Sequence, residues 1–543
     1  MTNHTVLEPS DRSLQTDKEV SYLKASVKVE PLIDRWHAWT HLLAPAQQAM
    51  NLAFRYLPAL ESFVASPSVH IAATKNPEMY GGPFVDLPHK AVPDVTSYLA
   101  TTRMRRAEAL RFASQYKEFD RKLTTIAQGY SLNEHKLDLP DSLKGRVELV
   151  YDLNKHPKIK ILDEMFTEDD MGLRASEGIY LHIATDEDRP FFLSTPKLDD
   201  DEGVYVSAPF RSEGIMRLCE ARTKPINVAE LAVLLDVSPA RLAPYFTPEP
   251  GIRTGERYSG PGMRLRYFGH ASILIETADV AILIDPTFAS ESSADGEHLS
   301  FADIPPRIDA IAISHGHQDH MSAEVLLELR HRTEKIIVPR NNAGELADPS
   351  LKAVLNRLGF DSIIETLPLE RIEVGNVSIT TLPFSGEHCD LDVQAKQCFL
   401  IEANETKIGM FVDSDAIDID IYRRLAHRLQ GLDVLLVGME CNGAPLSWLY
   451  GPLICSTVTK REDNSRRLSG ANCGQASALV ELLNPRQAYV YAMGQEAWMK
   501  PLMGLNYQPD SIQLIESERF VERCKAAGIT SERLFAFKEI VIG

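Results

Sequence analysis

No two cysteines in this 543-residue chain are spaced as CxxC: the seven stand scattered at positions 219, 389, 398, 441, 455, 473 and 524. An odd, dispersed set excludes a disulfide framework and a thiolate zinc site, and is what a reducing compartment permits. Long apolar runs are missing too. Stretches such as 282–284 and 434–437 are strand-sized, well short of the ~20 residues that span a bilayer. The first twenty residues (MTNHTVLEPSDRSLQTDKEV) lack the apolar centre of a signal peptide. A cytoplasmic protein with no membrane segment is therefore expected. Basic residues are the minority: 57 Lys plus Arg against 76 Asp plus Glu leave a net charge of −19. That balance argues against a protein that coats nucleic acid or an anionic membrane, because both demand a broad basic surface.

What is present is an ordinary globular mix, 44% hydrophobic and 24% charged. The length implies two or three domains, and the patterning makes the fold class α/β. Residues 1–28 read as a flexible leader, polar and aperiodic. An N-terminal α+β domain is expected over 29–262. It should open with short helices broken near Pro31, Pro45 and Pro58. More helix is expected over 94–130, and strand-like pieces at RVELVYDL, GIYLHIAT, RPFFLST and GVYVSAPF. Residues 225–248 pattern as helix, turn, helix. With Arg241 as the only cation in the second helix of an acidic chain, they read as a packing element and not a DNA reader. The Gly- and Pro-rich stretch 249–262 marks the boundary. Beyond it, regular strands alternate with helices over 263–543, the pattern of two packed sheets with helices outside.

The chemistry is concentrated at SHGHQDH, residues 314–320. His315 and His317 stand two apart where a strand ends, and Asp319 and His320 follow at the start of the next helix. Three imidazoles and a carboxylate this close have little structural use. Burying them without a cation would cost several kcal/mol, so they are candidate metal ligands.

This loop resembles the HxHxDH motif of the metallo-β-lactamase superfamily. The resemblance implies an αββα sandwich over 263–543 and gives Asp285, closing the strand VAILIDP, the place of a supporting aspartate. The fold carries several chemistries, so hydrolysis does not follow from it. Glu387 stands where zinc hydrolases of the fold have a further histidine, with His388 one residue late. Asp413 meets the bridging position. The last histidine of the chain is His427, so the strand ending YAMGQE brings no final imidazole. Three His and three carboxylates with an open position move the preference from zinc towards iron or manganese, and a carboxylate-rich di-iron site suits O₂ activation. Zinc also accepts carboxylates, which keeps open a dinuclear zinc hydrolase acting on a thioester, lactone or phosphodiester. A metal-bearing docking protein without turnover is a third possibility.

A closer resemblance runs along nearly the whole chain, through EPLIDRWHAW (30–39), KNP (75–77), GGPF (81–84) and the metal loop. It is to the di-iron β-hydroxylases typified by that of chloramphenicol biosynthesis. It implies β-hydroxylation of an aminoacyl group tethered as a thioester to the phosphopantetheine of a nonribosomal peptide synthetase carrier domain, in natural-product biosynthesis. It also implies two iron ions, O₂ as co-substrate, an external electron donor such as a reductase, and a homodimer formed through the N-terminal domain. The implied ligands are His315, His317 and Glu387 for one iron, and Asp319, His320 and bridging Asp413 for the other. Glu387 and Asp413 are also the expected catalytic residues. Glu440 and His388 are candidates for orienting ligands, whereas His270 reads as a core histidine. An acidic carrier needs a basic patch on an acidic enzyme; Lys460, Arg461, Arg466 and Arg467 form one candidate, and Arg103, Arg105 and Arg106 another.

Overall fold

The computed structural model describes residues 20–167, 170–199, 202–290 and 297–543. Of the expected leader, residues 1–19 lie outside the described residues. Residues 20–28 do not belong to a leader: strand Val20–Leu23 pairs with Ile226–Asn227 and with Phe246–Thr247, and strand Val27–Ile33 is buried throughout. Pro31 therefore sits in a strand and breaks no helix. It is tolerated because its carbonyl takes the Ala38 amide at 2.8 Å, beyond the two-residue partner strand Trp36–His37, where no ladder donor is needed.

The N-terminal half wraps a four-stranded sheet, in the order Trp36–His37, Val27–Ile33, Glu177–Ile183, Gly203–Val206, with helices that include Val92–Arg105 and Ala107–Ile126. Pro58 does not interrupt its helix either. A π-helical turn at Leu52–Tyr56, closed by the Leu57 amide on the Leu52 carbonyl, lets the helix run on into Leu57–Ala65. The strand expected at 189–195 is a series of turns, with Arg189 turned inwards to an ion-pair network. The helical pair Val228–Leu234 and Pro239–Leu242 packs within this half.

No helix or strand lies between Phe246–Thr247 and Met263–Tyr267. The remainder is a metallo-β-lactamase fold: two seven-stranded sheets with helices outside. The first sheet runs Ile363–Thr366, Ile336–Pro339, Ala310–Ala312, Ala281–Ile284, Ile273–Glu276, Met263–Tyr267, Lys538–Ile542. The second runs Arg371–Val374, Val377–Leu382, Cys398–Ala403, Thr406–Met410, Val434–Gly438, Gln487–Tyr491, Thr530–Arg533. Strands covered on both faces read as unbroken apolar runs, and the period of two divides them. Ile282 and Ile284 enter the core between the sheets, whereas Leu283 faces outwards. The outward face of the second sheet is covered by helices Cys473–Leu483 and Ile512–Ala526. That of the first is covered by Ala323–Leu329, Leu351–Arg357 and the N-terminal half, in one continuous apolar core. No described helix is long and apolar enough to cross a membrane.

Candidate metal centre

Strands Ala281–Ile284 and Ala310–Ala312 run parallel and end at the same rim. Asp285 leaves the first with φ 42°. One of its oxygens accepts the Ser314 amide at 2.7 Å; the other accepts the Ser314 hydroxyl at 2.7 Å and lies 3.0 Å from His320 Nδ1. The Ser314 oxygen in turn lies 2.9 Å from His315 Nδ1. Each of these imidazoles thus holds its Nδ1 proton against an oxygen, which leaves the Nε2 lone pair facing the cavity. His317 is turned the other way. Its Nε2 is 3.4 Å from the Tyr450 hydroxyl, and its Nδ1 lies 2.8 Å from Glu387 Oε1 and 3.0 Å from His315 Nε2.

The carboxylates arrive from strand ends with constrained backbone. Residues 386–390 all have positive φ, from 52° to 75°, and Lys396 clamps the turn through the Gly386 carbonyl at 2.7 Å. Gly386 adopts this region freely, but four successive non-glycine residues there mark strain held by surrounding structure; here it presents Glu387 to the cavity. Val412, at φ 49°, turns Asp413 inwards to lie 2.8 Å from His320 Nε2 and 3.8 Å from His315 Nε2. Asp319 Oδ2 is 3.6 Å from His320 Nε2.

His270 is more than the core histidine expected. Its Nδ1 accepts the Gly494 amide at 3.1 Å, so the proton sits on Nε2, 3.2 Å from Asp319 Oδ2. It orients a carboxylate of the cluster. His388 contacts Glu387 Oε2 through Nδ1 and stacks on His317 at 4.5 Å. Glu440 lines the cavity but makes no side-chain hydrogen bond to a proposed ligand among the described residues. Sequence reasoning also passed over Ser314, Tyr450 and Thr40. Ser314, adjacent to His315, was the one with a local signal.

The donors form overlapping groups, each within 4.8 Å: His315, His317, Glu387 and His388; His270, Asp319 and His320; His315, His320 and Asp413. Asp319, Glu387 and Asp413 have no Lys or Arg ion-pair partner among the described residues. Burial raises the Asp413 carboxyl. Burial also opposes ionisation of Glu387, but the imidazoles of His317, His388 and His315 outweigh it and hold that carboxyl low. Burial lowers His315, aided by the neighbouring His320. His320 Nε2 and Glu387 Oε2 are enclosed against Asp413 and His388 but meet them without hydrogen-bond geometry. Inward lone pairs and partly buried carboxylates that have imidazole neighbours but no Lys or Arg partner among the described residues fit bound cations. No cysteine belongs to any of the three groups.

The two basic clusters fare differently. Arg106 is buried, held by Asp34 at 3.2 Å and by the Gln48 and Gly172 oxygens. Arg103 pairs with Glu61 and Arg105 with Asp34. Of that group only Arg106 is withdrawn into the protein; Arg103 and Arg105 stay exposed, each with an acidic partner. Lys460 and Arg461 are exposed, while Arg466 and Arg467 donate to the carbonyls of Cys389 and Gly443.

Comparison with known proteins follows the same division. Residues 22–250 match the diiron non-heme beta-hydroxylase N-terminal domain family, and 264–439 match the beta-lactamase superfamily domain. The 4-amino-L-phenylalanyl-[CmlP-peptidyl-carrier-protein] 3-hydroxylase of Streptomyces venezuelae is 31% identical over 521 residues, 94% of this chain and 98% of that protein. The crystal structure of CmlA, a diiron beta-hydroxylase from Streptomyces venezuelae, superposes with a TM-score of 0.89 at 30% identity, covering 96% of this chain and 99% of that one. A UPF0173 metal-dependent hydrolase of Brucella anthropi is 38% identical, but only over 69 residues, 13% of this chain and 28% of that protein.

Proposed function

This chain belongs to the diiron non-heme β-hydroxylase family, and from that premise we propose that it hydroxylates the β-carbon of an aminoacyl group held as a thioester on a nonribosomal peptide synthetase carrier domain. The end-to-end match to a carrier-linked aminoacyl 3-hydroxylase carries this reading over the zinc hydrolase. The hydrolase likeness is short, and no imidazole follows His427 to complete a histidine-rich zinc site.

His315, His317 and Glu387 would hold one iron, and Asp319, His320 and Asp413 the other. Bound there, the pair supplies electrons and open positions for O₂. The overall balance is one C–H, O₂, two electrons and two protons giving one C–OH and one water. The chain's own residues set the stage. Asp285 and Ser314 fix the tautomers of His320 and His315, the Tyr450 hydroxyl faces the outer nitrogen of His317, and His270 holds Asp319. Trp448, Leu449, Leu468, Leu502 and Met503 line the cavity and give it an apolar side. Tethering makes delivery of the acyl group effectively intramolecular.

The electrons come from an external reductase. Exposed Lys460 and Arg461 support a docking place for the acidic carrier. Exposed Tyr130, Leu137 and Leu153 support a homodimer through the N-terminal half. A cytoplasmic setting is part of the same reading, and seven free cysteines, five of them buried, are compatible with it. The test is intact-mass analysis of a carrier-bound aminoacyl group after reaction with reduced, iron-loaded protein and O₂. Addition of one oxygen is expected; thioester cleavage instead would favour the hydrolase.

A further inference from the structure

Four carboxylates face the cavity, and the proposed ligand set uses three of them. The fourth, Glu440, follows strand Val434–Gly438 and shares the cavity with Asp319, Glu387 and Asp413. Its carboxylate has no ion pair or side-chain hydrogen bond among the described residues, although its backbone carbonyl is anchored by the Gly470 amide at 2.9 Å. Among the described residues no Lys or Arg lines this cavity. One side of its wall is apolar, with Trp448, Leu449, Leu468, Leu502 and Met503 and Ala444 beside them; Gln318 and Ser469 add uncharged polar groups.

That wall is preset by the N-terminal half. Arg55, from the π-helical turn, donates to the carbonyls of Trp448 and Leu449 at 2.5 and 3.1 Å. Gly81 lies flat on the indole: a Cβ there would stand 2.5 Å from the Trp448 ring and 3.3 Å from the Gly504 Cα. No larger residue fits between the two.

Resting on the reading of the substrate as a carrier-bound aminoacyl group, we propose that Glu440 receives the α-ammonium of that group and that the Trp448 wall seats an uncharged, bulky apolar or aromatic side chain. An aminoacyl thioester has lost its carboxylate and carries one cation, the α-ammonium. A closed site must give that cation an anion that the metals do not consume. Glu440 is the one such carboxylate lining this cavity. A charged side chain would find no counter-charge on the apolar wall, so the same cavity discriminates against basic and acidic amino acids.

The test uses the full-length, iron-loaded protein and one carrier domain charged in turn with phenylalanyl, 3-phenylpropanoyl (the same acyl group without its amine) and lysyl thioesters. The wild type is expected to favour phenylalanyl over 3-phenylpropanoyl by roughly 10- to 100-fold in kcat/KM, mostly through KM. Lysyl should be poorly used. Glu440→Gln should bring the phenylalanyl preference close to one while retaining two irons per chain, and Glu440→Asp should keep part of it. An anaerobic titration of each charged carrier onto the iron-loaded protein, where the other three carboxylates are occupied, gives a readout independent of turnover and should show the same loss of discrimination. A Glu440→Gln protein that keeps the preference, or one that loses iron because Glu440 is a ligand, would overturn the ammonium site. Equal use of lysyl and phenylalanyl would overturn the apolar seat. A wild type that oxygenates neither phenyl substrate would instead sink the functional reading itself, and this subsite with it.

Discussion

The hydroxyl of Thr40 donates to the carbonyl of Gly316 at 2.5 Å, bonding the N-terminal half to the residue between His315 and His317. The neighbouring His41 packs its ring against Tyr450, whose hydroxyl faces His317. Arg357 extends from the sandwich to the Leu43 and Leu173 carbonyls, at 2.8 and 2.9 Å. The first half of the chain is thus part of the metal loop's support, in addition to any role it has in partner contacts.

Thr40→Ala should leave the Gly316 carbonyl without its donor and loosen the loop. A stability loss of about 1 kcal/mol is expected in urea unfolding, with faster loss of iron to a chelator. Unchanged iron retention would show that the loop holds its shape without the N-terminal half.

Asp285 touches no proposed iron site yet holds both Ser314 and His320. Asp285→Ala frees the His320 ring, and through Ser314 the His315 ring, to take other tautomers and should weaken metal binding by about 10- to 100-fold, read by chelator competition. Equal affinity in the variant would count against the tautomer argument.

Glu387 and His388 compete for one ligand position by proximity. Glu387→Ala is expected to lower the iron content from two per chain towards one and abolish oxygenation, while His388→Ala should retain both irons. Elemental analysis decides between them; the reverse pattern would move the ligand by one residue.

Asp186 joins the halves through the Ser290 amide and hydroxyl, at 2.9 and 3.0 Å, while ion-paired to Lys28 and Arg189. Burial acts to raise its carboxyl, but the two cations outweigh burial and bring it down to about 2 from the ordinary 3.8. A depressed carboxyl stabilises the fold above its unfolded-state value, and that contribution disappears as pH falls through its folded value. Asp186→Asn should therefore cost roughly 2–3 kcal/mol at pH 7. The gap from wild type should narrow as the pH falls from about 4 towards 2. Urea midpoints across that window supply the check.

The cluster Lys460, Arg461, Arg466 and Arg467 divides by what each side chain touches. Reversing Lys460 and Arg461 to Glu should raise KM for a charged carrier and leave iron content and kcat unchanged. Reversing Arg466 strands the Cys389 carbonyl in the turn that presents Glu387, so kcat and iron content should fall as well. An unchanged KM after the first double substitution would remove this face from carrier docking.

Much of the sandwich and half of the site are legible in the chain because their signals are local. Apolar strands alternate with helices, and His315, His317, Asp319 and His320 lie within six residues. The last strands, Thr530–Arg533 and Lys538–Ile542, carry no clear strand signal in the sequence. They lie at sheet edges, where exposed positions such as Val541 weaken the apolar pattern. Val27–Ile33 does not read as a strand because proline usually argues against one, and only the short partner beside it shows why Pro31 is accepted. The Arg103–Arg106 cluster looked like a surface because charge runs usually are, and Asp34 draws part of it inwards.

By itself the sequence determined which atoms could bind a metal: nitrogen and oxygen donors, no thiolate, and no histidine after His427. Those facts depend only on residue identity and order. Tertiary structure alone decided how the donors face. Thr40 meets Gly316 across 276 positions and His317 meets Tyr450 across 133, contacts that loop closure and packing create and no local pattern records. The change for His270 is of the same kind. The Gly494 amide occupies one ring nitrogen and turns the other to Asp319, so a histidine that read as core became part of the support of the metal centre.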